Sequence, residues 1–171
     1  AIDKVKFKAQ LEPNILKDNS DFKIEIDIDS SNRTISISDN GVGMTYEEVI
    51  DNIGTIAKSG TAGFTEALKK AQNNNSLVPE LIGQFGVGFY SAFMVADKIE
   101  LITKTSETKA QAVKWTSSGD GEFTIEHVEK ESRGTTIILY LKKSENEEKN
   151  YTDQWTIQNI IKQHSDFVSY P

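Results

Sequence analysis

Phe22-Lys23-Ile24-Glu25-Ile26-Asp27-Ile28 alternates apolar and polar residues without a break, and Thr34-Ile35-Ser36-Ile37-Ser38 repeats the alternation after a polar turn. A period of two places every isoleucine on one side of a strand and every charge or hydroxyl on the other, so the pair predicts a hairpin with one wet face. A sheet with a wet face is antiparallel or mixed, because all-parallel sheets are covered on both sides. Further strands, rich in β-branched residues, are predicted at Ile99 to Lys104, Ala110 to Thr116, Phe123 to Glu126 and Thr135 to Leu141. Between them, Thr45 and Glu48 form a capping-box pattern ahead of Val49, Ile50, Ile53 and Ala57, which predicts a helix from Tyr46 to about Ile56. A second helix is expected from Phe64 to Gln72, and a third begins at Gly86 to Gly88 and carries Phe89, Phe93 and Met94. A last one presents Ile157, Ile160, Ile161 and His164 on one stripe. The elements together predict an α+β two-layer sandwich, a mixed, mostly antiparallel sheet covered on one face by helices.

The 171 residues suit a single domain spanning 1–171, and at this length folding buries roughly 70% of the surface that the unfolded chain exposes. With 19 Lys and Arg against 26 Asp and Glu, the net charge of -7 argues against a general binder of nucleic acid or of acidic membranes. The absence of cysteine excludes thiol nucleophiles, zinc-thiolate centres and disulfides; with His127 and His164 as the only histidines, most histidine metal sites are excluded too. Both histidines read as core or surface residues, and Trp115 and Trp155 read as packing residues. No apolar run approaches the ~20 residues of a membrane helix, so a soluble chain is expected. The absence of cysteine is compatible with a reducing compartment, and a cytoplasmic location is expected. Ile2, Val5 and Ala9 recur at helical spacing with no capping residue ahead of them, so the sequence is expected to open inside a helix. Its end, Asp166 to Pro171, has no polar tail and reads as a cut between domains. Asn73-Asn74-Asn75-Ser76 and Lys142 to Asn150 read as surface loops.

Three glycine-bearing segments carry the chemistry: Asp39-Asn40-Gly41-Val42-Gly43-Met44, Gly54 to Thr61, and Gly83-Gln84-Phe85-Gly86-Val87-Gly88-Phe89. A Walker loop requires Gly before the lysine, and Lys58 follows Ala57. The dinucleotide pattern fails as well, since the glycines from Gly83 are spaced three and two apart and no clear strand precedes them. A calcium loop from Asp27 has Asn32 where glycine is needed and Ser38 at its twelfth position. Gly83 to Phe89 nevertheless offers unobstructed backbone N–H groups leading into a helix, which suits a phosphate chain. A tight turn into a packed helix, with Phe85, Phe89 and Phe93 as core, describes that segment alone equally well. Asp39 ends an alternating strand before two glycines, so its carboxylate can face a ligand, although an ordinary Asp-Asn-Gly turn also accounts for it.

In this order, and followed by Gly134-Thr135 and Ile160-Ile161-Lys162-Gln163-His164-Ser165-Asp166-Phe167, the segments closely resemble the N-terminal nucleotide domain of the heat-shock protein 90 chaperones over essentially the whole chain. Loop lengths are nearest the bacterial and organellar members. The resemblance implies the sandwich shared with type II topoisomerases, sensor histidine kinases and mismatch-repair ATPases, and it implies ATP or ADP with Mg2+ as ligands. By that resemblance Asp39 receives the adenine amino group, Thr135 and ordered water complete the base contacts, and Gly43 and Met44 line the base pocket. Asn52 and Lys58 lie near ribose and phosphates. Gly83, Phe85, Gly86, Val87, Gly88 and Phe89 wrap the phosphates, a movable lid lies between about Gly54 and Gly88, and Lys4 stands at the pocket mouth. The family's water-activating glutamate and magnesium-holding asparagine would precede Ala1, with the first strand and most of the first helix, and its γ-phosphate arginine would follow Pro171. No catalytic residue or protein metal ligand is therefore expected in this sequence, which should bind nucleotide better than it hydrolyses it. In the full-length family members nucleotide closes the lid and clamps a homodimer around client proteins in protein folding and the stress response. Two other readings stay open. One is another enzyme of the same fold, of histidine kinase or topoisomerase type, against which the segments Gly54 to Thr61 and Gly83 to Ser91 speak. The other is a non-hydrolysing protein-interaction module, against which Asp39 and the intact glycines speak.

Overall fold

The computed structural model describes residues 1–16, 21–54, 87–107, 110–143, 150–165, 168 and 170–171. The alternating hairpin forms as β1 (Ile24–Asp29) and β2 (Thr34–Asp39), paired antiparallel with Ile24 opposite Asp39 and Asp29 opposite Thr34. Its turn is organised by one side chain: Asp29 Oδ1 accepts the backbone N–H groups of Ser31 (2.9 Å) and Asn32 (3.0 Å), and Oδ2 accepts from Asn32 Nδ2 (2.7 Å). These bonds, with the Asn32 backbone foremost, hold the Asp29 carboxyl below its ordinary range.

The remaining strands are β3 (Ala96–Lys104), β4 (Ala112–Ser117), β5 (Thr124–Val128) and β6 (Gly134–Leu141). They join the hairpin in the order β1-β2-β6-β3-β4-β5, and every pairing among the described residues is antiparallel. The final strand thus inserts between β2 and β3. One consequence decides the position of the site: the end of β2, the start of β6 and the end of β3 lie side by side, with Asp39 opposite Thr135 and Thr135 opposite Thr103.

Helices cover one face. The first, α1 (Ile2–Leu11), has Ala1 at its cap position without a side-chain cap bond, and buries Ile2 and Val5. The second, α2 (Tyr46–Val49), opens with the expected capping box, Glu48 N–H donating to Thr45 Oγ1 (3.1 Å) and Thr45 N–H to Glu48 Oε2 (2.9 Å). Its α-helical part is one turn; Ile50–Gly54 continues as a wider π-type turn, a form that places Val49 and Ile53 on the core side as a regular helix would. Gly54 lies so close to Phe123 that an added Cβ would meet the ring at 2.7 Å. The expected third helix is a 3₁₀ helix, Val87–Met94. Phe89 and Phe93 from it join Val49, Ala96, Ile99, Leu101 and Trp115 in the core, where the fully buried Trp115 indole meets Phe89 edge-on at 5.6 Å and Phe123 at 6.1 Å.

A buried charge lies on the wet face. Glu100, on β3, receives Lys98 Nζ at 3.0 Å and the Tyr140 hydroxyl at 3.2 Å, with Lys114 Nζ at 3.7 Å. Burial pushes its carboxyl up, and the Lys98 bond, both ammonium charges and the phenol together outweigh that and hold it below the ordinary value.

The last helix, α3 (Gln154–His164), is capped by Asp153, which accepts from Thr156 N–H at 2.9 Å. Ile157 and Ile160 are half-buried, and His164 is exposed. Trp155 is 72% exposed, which corrects its reading as a packing residue. At 100° per residue it projects opposite the stripe of Ile157, Ile160, Ile161 and His164, so the face that seats the isoleucines turns the indole outward. The expected helix Phe64 to Gln72, the loop Asn73 to Ser76 and most of the loop from Lys142 to Asn150 lie outside the described residues.

Candidate functional site

Where β2 and β3 end and β6 begins, a threonine ties the pieces. Thr103 is fully buried on the inward side of β3. Its Oγ1 accepts the Met44 backbone N–H at 2.9 Å, lies 2.9 Å from Thr135 Oγ1 and 3.3 Å from the Gly134 carbonyl. A hydroxyl has one proton and two acceptor sites. If Thr103 donates to Gly134, Thr135 donates to Thr103 and shows a ligand only acceptors. If Thr103 donates to Thr135, the Thr135 proton is free for a ligand acceptor. The buried pair is therefore a switchable donor-acceptor set beside Asp39.

The Asp39 carboxylate is half-buried. Its Oδ1 accepts the Gly41 N–H at 2.8 Å, and Oδ2 makes no hydrogen bond among the described residues. Next to it the chain requires glycine twice. Gly43 has φ +67, and a Cβ there would overlap the Lys104 carbonyl; Gly134 has φ +114, and a Cβ there would overlap the Asp39 carbonyl. These contacts seat the Gly41–Met44 segment on the end of β3 and let β6 begin against β2. Asn40 fastens the other side, receiving Lys23 N–H at 3.0 Å and donating to the Asp21 carbonyl at 2.6 Å.

Asp39 opens on a cleft of about 420 Å³ whose other walls are Ala1, Ile2, Asp3, Ile24, Val168 and Tyr170. The mixture of aliphatic walls, one aromatic ring and two carboxylates suits a flat group that carries N–H donors. Lys4, expected at the pocket mouth, is on α1 but is not among the residues that line this cleft; its Nζ lies 3.9 Å from Glu48, and both side chains are largely exposed, so the pair contributes little.

Of the residues singled out from the sequence, Asp39, Gly43, Met44 and Thr135 are brought together. Asn52 lies exposed on the π-type turn after α2. Val87 and Gly88 begin the 3₁₀ helix, and Phe89 turns its ring onto Trp115. Lys58, Gly83, Phe85, Gly86 and nearly all of the expected lid lie outside the described residues. Sequence reasoning missed Thr103. The available signal was its inward position in the alternation Ile99, Leu101, Thr103, where a hydroxyl must find a partner. Among the described residues no group of three His, Cys, Asp or Glu could hold a metal ion, and no helix is long and apolar enough to cross a membrane.

A family model described as "Histidine kinase-, DNA gyrase B-, and HSP90-like ATPase" matches residues 17–165. The chain is 51% identical over 170 residues to the chaperone protein HtpG of Fusobacterium nucleatum, covering 99% of this chain and 27% of that one. It is 46% identical over 175 residues to HtpG of Mycobacterium avium (100% and 27%) and 47% identical over 173 residues to HtpG of Mycobacterium tuberculosis (100% and 26%). It thus spans about a quarter of the length of the relatives it matches. The matched region contains every described strand, Asp39, Thr103 and Thr135, and the chain belongs to the histidine kinase-, DNA gyrase B- and HSP90-like ATPase family.

Proposed function

We propose that this chain is the nucleotide-binding domain of a heat-shock protein 90 type chaperone, with residues 1–171 forming one domain. ATP or ADP enters beside Asp39, whose Oδ2 receives the adenine amino group, while Thr135 meets the base through its hydroxyl and Gly43 and Met44 form the pocket edge. Asn52, Lys58 and the segment Gly83 to Phe89 serve ribose and phosphates, with Mg2+ arriving on the nucleotide. In the whole protein, nucleotide binding and hydrolysis drive lid closure and a dimer clamp on client proteins in the cytoplasm. The observation that carries this reading is that the buried Thr103 hydroxyl holds the Met44 N–H and the Thr135 hydroxyl, while Thr135 is the strand partner of Asp39. The HtpG relatives favour it over a histidine kinase or a topoisomerase subunit, and the match to an ATPase family favours it over a non-hydrolysing interaction module.

A hydrogen bond to a carboxylate is worth about 1.5–3 kcal/mol, so Asp39→Ala should weaken ADP binding by roughly tenfold to a hundredfold. Calorimetric titration of both proteins with ADP checks this. Equal affinity in the two, with unchanged melting curves, would remove Asp39 from the site.

A further inference from the structure

The cleft beside Asp39 is walled partly by residues from the far end of the chain. Tyr170 and Val168 line it together with Ala1, Ile2 and Asp3 of the first turn of α1. The Tyr170 hydroxyl donates to Asp3 Oδ1, and the Lys6 ammonium lies 4.4 Å from the Tyr170 ring centre and 5.0 Å from that of Phe22. The next residue, Pro171, accepts the Ile24 N–H at 2.8 Å. Ile24 is the strand partner of Asp39, so this bond holds the outer side of the strand segment facing the carboxylate. On the inner side, the start of α1 rests on Gly41, where an added Cβ would meet Ala1 Cβ and Asp39 Oδ1, each at 2.7 Å. Gly41 is also the residue whose N–H orients Asp39. A closed circuit results: Asp39 to Gly41, Gly41 to Ala1 and α1, Asp3 to Tyr170, Pro171 to Ile24, and Ile24 back to Asp39.

We infer that Tyr170 is a positioning residue for this site: by donating to Asp3 it seats the first turn of α1 against the Asp39–Gly41 turn and keeps the cleft in its ligand-ready shape. The inference rests on the nucleotide reading above. Because the circuit is closed, ligand binding at Asp39 and seating of the Tyr170–Pro171 segment favour each other equally.

The test is calorimetric titration of the full chain with ADP. Tyr170→Phe retains the ring and its cation contact and loses one hydrogen bond, so the Kd should rise about three- to tenfold. Asp3→Asn keeps a carbonyl acceptor and should bind nearly as the parent does, whereas Asp3→Ala should match Tyr170→Phe. The double variant Tyr170→Phe/Asp3→Ala should be no weaker than the weaker single variant, because both remove the same bond. Hydrogen exchange adds a ligand-independent reading: the Val5 amide, bonded to the Ala1 carbonyl at 3.2 Å, should exchange faster in Tyr170→Phe. Unchanged ADP affinity in Tyr170→Phe, or additive losses in the double variant, overturns the inference while Asp39→Ala still loses ADP. If Asp39→Ala also binds ADP normally, the nucleotide reading falls and this inference falls with it.

Discussion

Replacing Thr103 by valine tests the architecture of the site with almost no change of shape. Valine fills the same space but offers no oxygen, so the Met44 N–H loses its acceptor and the Thr135 hydroxyl its neighbour. The position is fully buried, and water cannot substitute on the β3 side. Leaving a buried donor unmade costs about 1–3 kcal/mol. For a domain of this length each 1 kcal/mol lowers the melting midpoint by about 2–4 °C, so Thr103→Val should melt roughly 2–12 °C lower. Thr103→Ser keeps the oxygen and should recover most of the difference. Differential scanning calorimetry of the three proteins decides the matter. A valine variant that melts with the parent would mean that Met44 and Thr135 are not held by this hydroxyl.

Gly134→Ala places a methyl group on the Asp39 carbonyl at a φ that side chains avoid, and should destabilise by at least about 2 kcal/mol in urea unfolding; a loss within error would contradict the close approach of β6 to β2. Glu100 has a folded-state value below its ordinary 4.5, so its contribution is complete above that value and is lost as the pH falls through the lower folded one. Unfolding measured from neutral pH into acid should therefore show a steeper decline in the parent than in Glu100→Gln, and parallel curves would refute the role given to Lys98, Lys114 and Tyr140.

How much of this was legible depended on the distance over which each feature is decided. The hairpin was legible because Ile24, Ile26 and Ile28 alternate with charges within one segment, and the capping box because Thr45 and Glu48 are three residues apart. The insertion of β6 between β2 and β3 was not, since it pairs Asp39 with Thr135 and Thr135 with Thr103 across long stretches of chain, and no local pattern encodes a strand order. Thr103 was passed over for the same reason: inside one strand it is an ordinary β-branched residue, and its role exists only once β6 lies beside it. The π-type turn at Ile50–Gly54 escaped because Val49 and Ile53, four apart, satisfy a regular helix equally well. Trp155 was misread from residue type, where helical phase would have placed it opposite Ile157 and Ile160. Asp39, Gly43, Met44 and Thr135 are singled out by resemblance, and the structure adds the physical reason that these four lie together.

The most direct measurement is a crystal structure of the chain with ADP. The adenine is expected beside Asp39, its amino group at the usual hydrogen-bond distance of about 2.7–3.2 Å from Oδ2, with the Thr135 hydroxyl still paired to Thr103 and turned toward the base. Adenine bound elsewhere, or an Asp39 carboxylate without contact to it in a complex that holds ADP, would contradict the account.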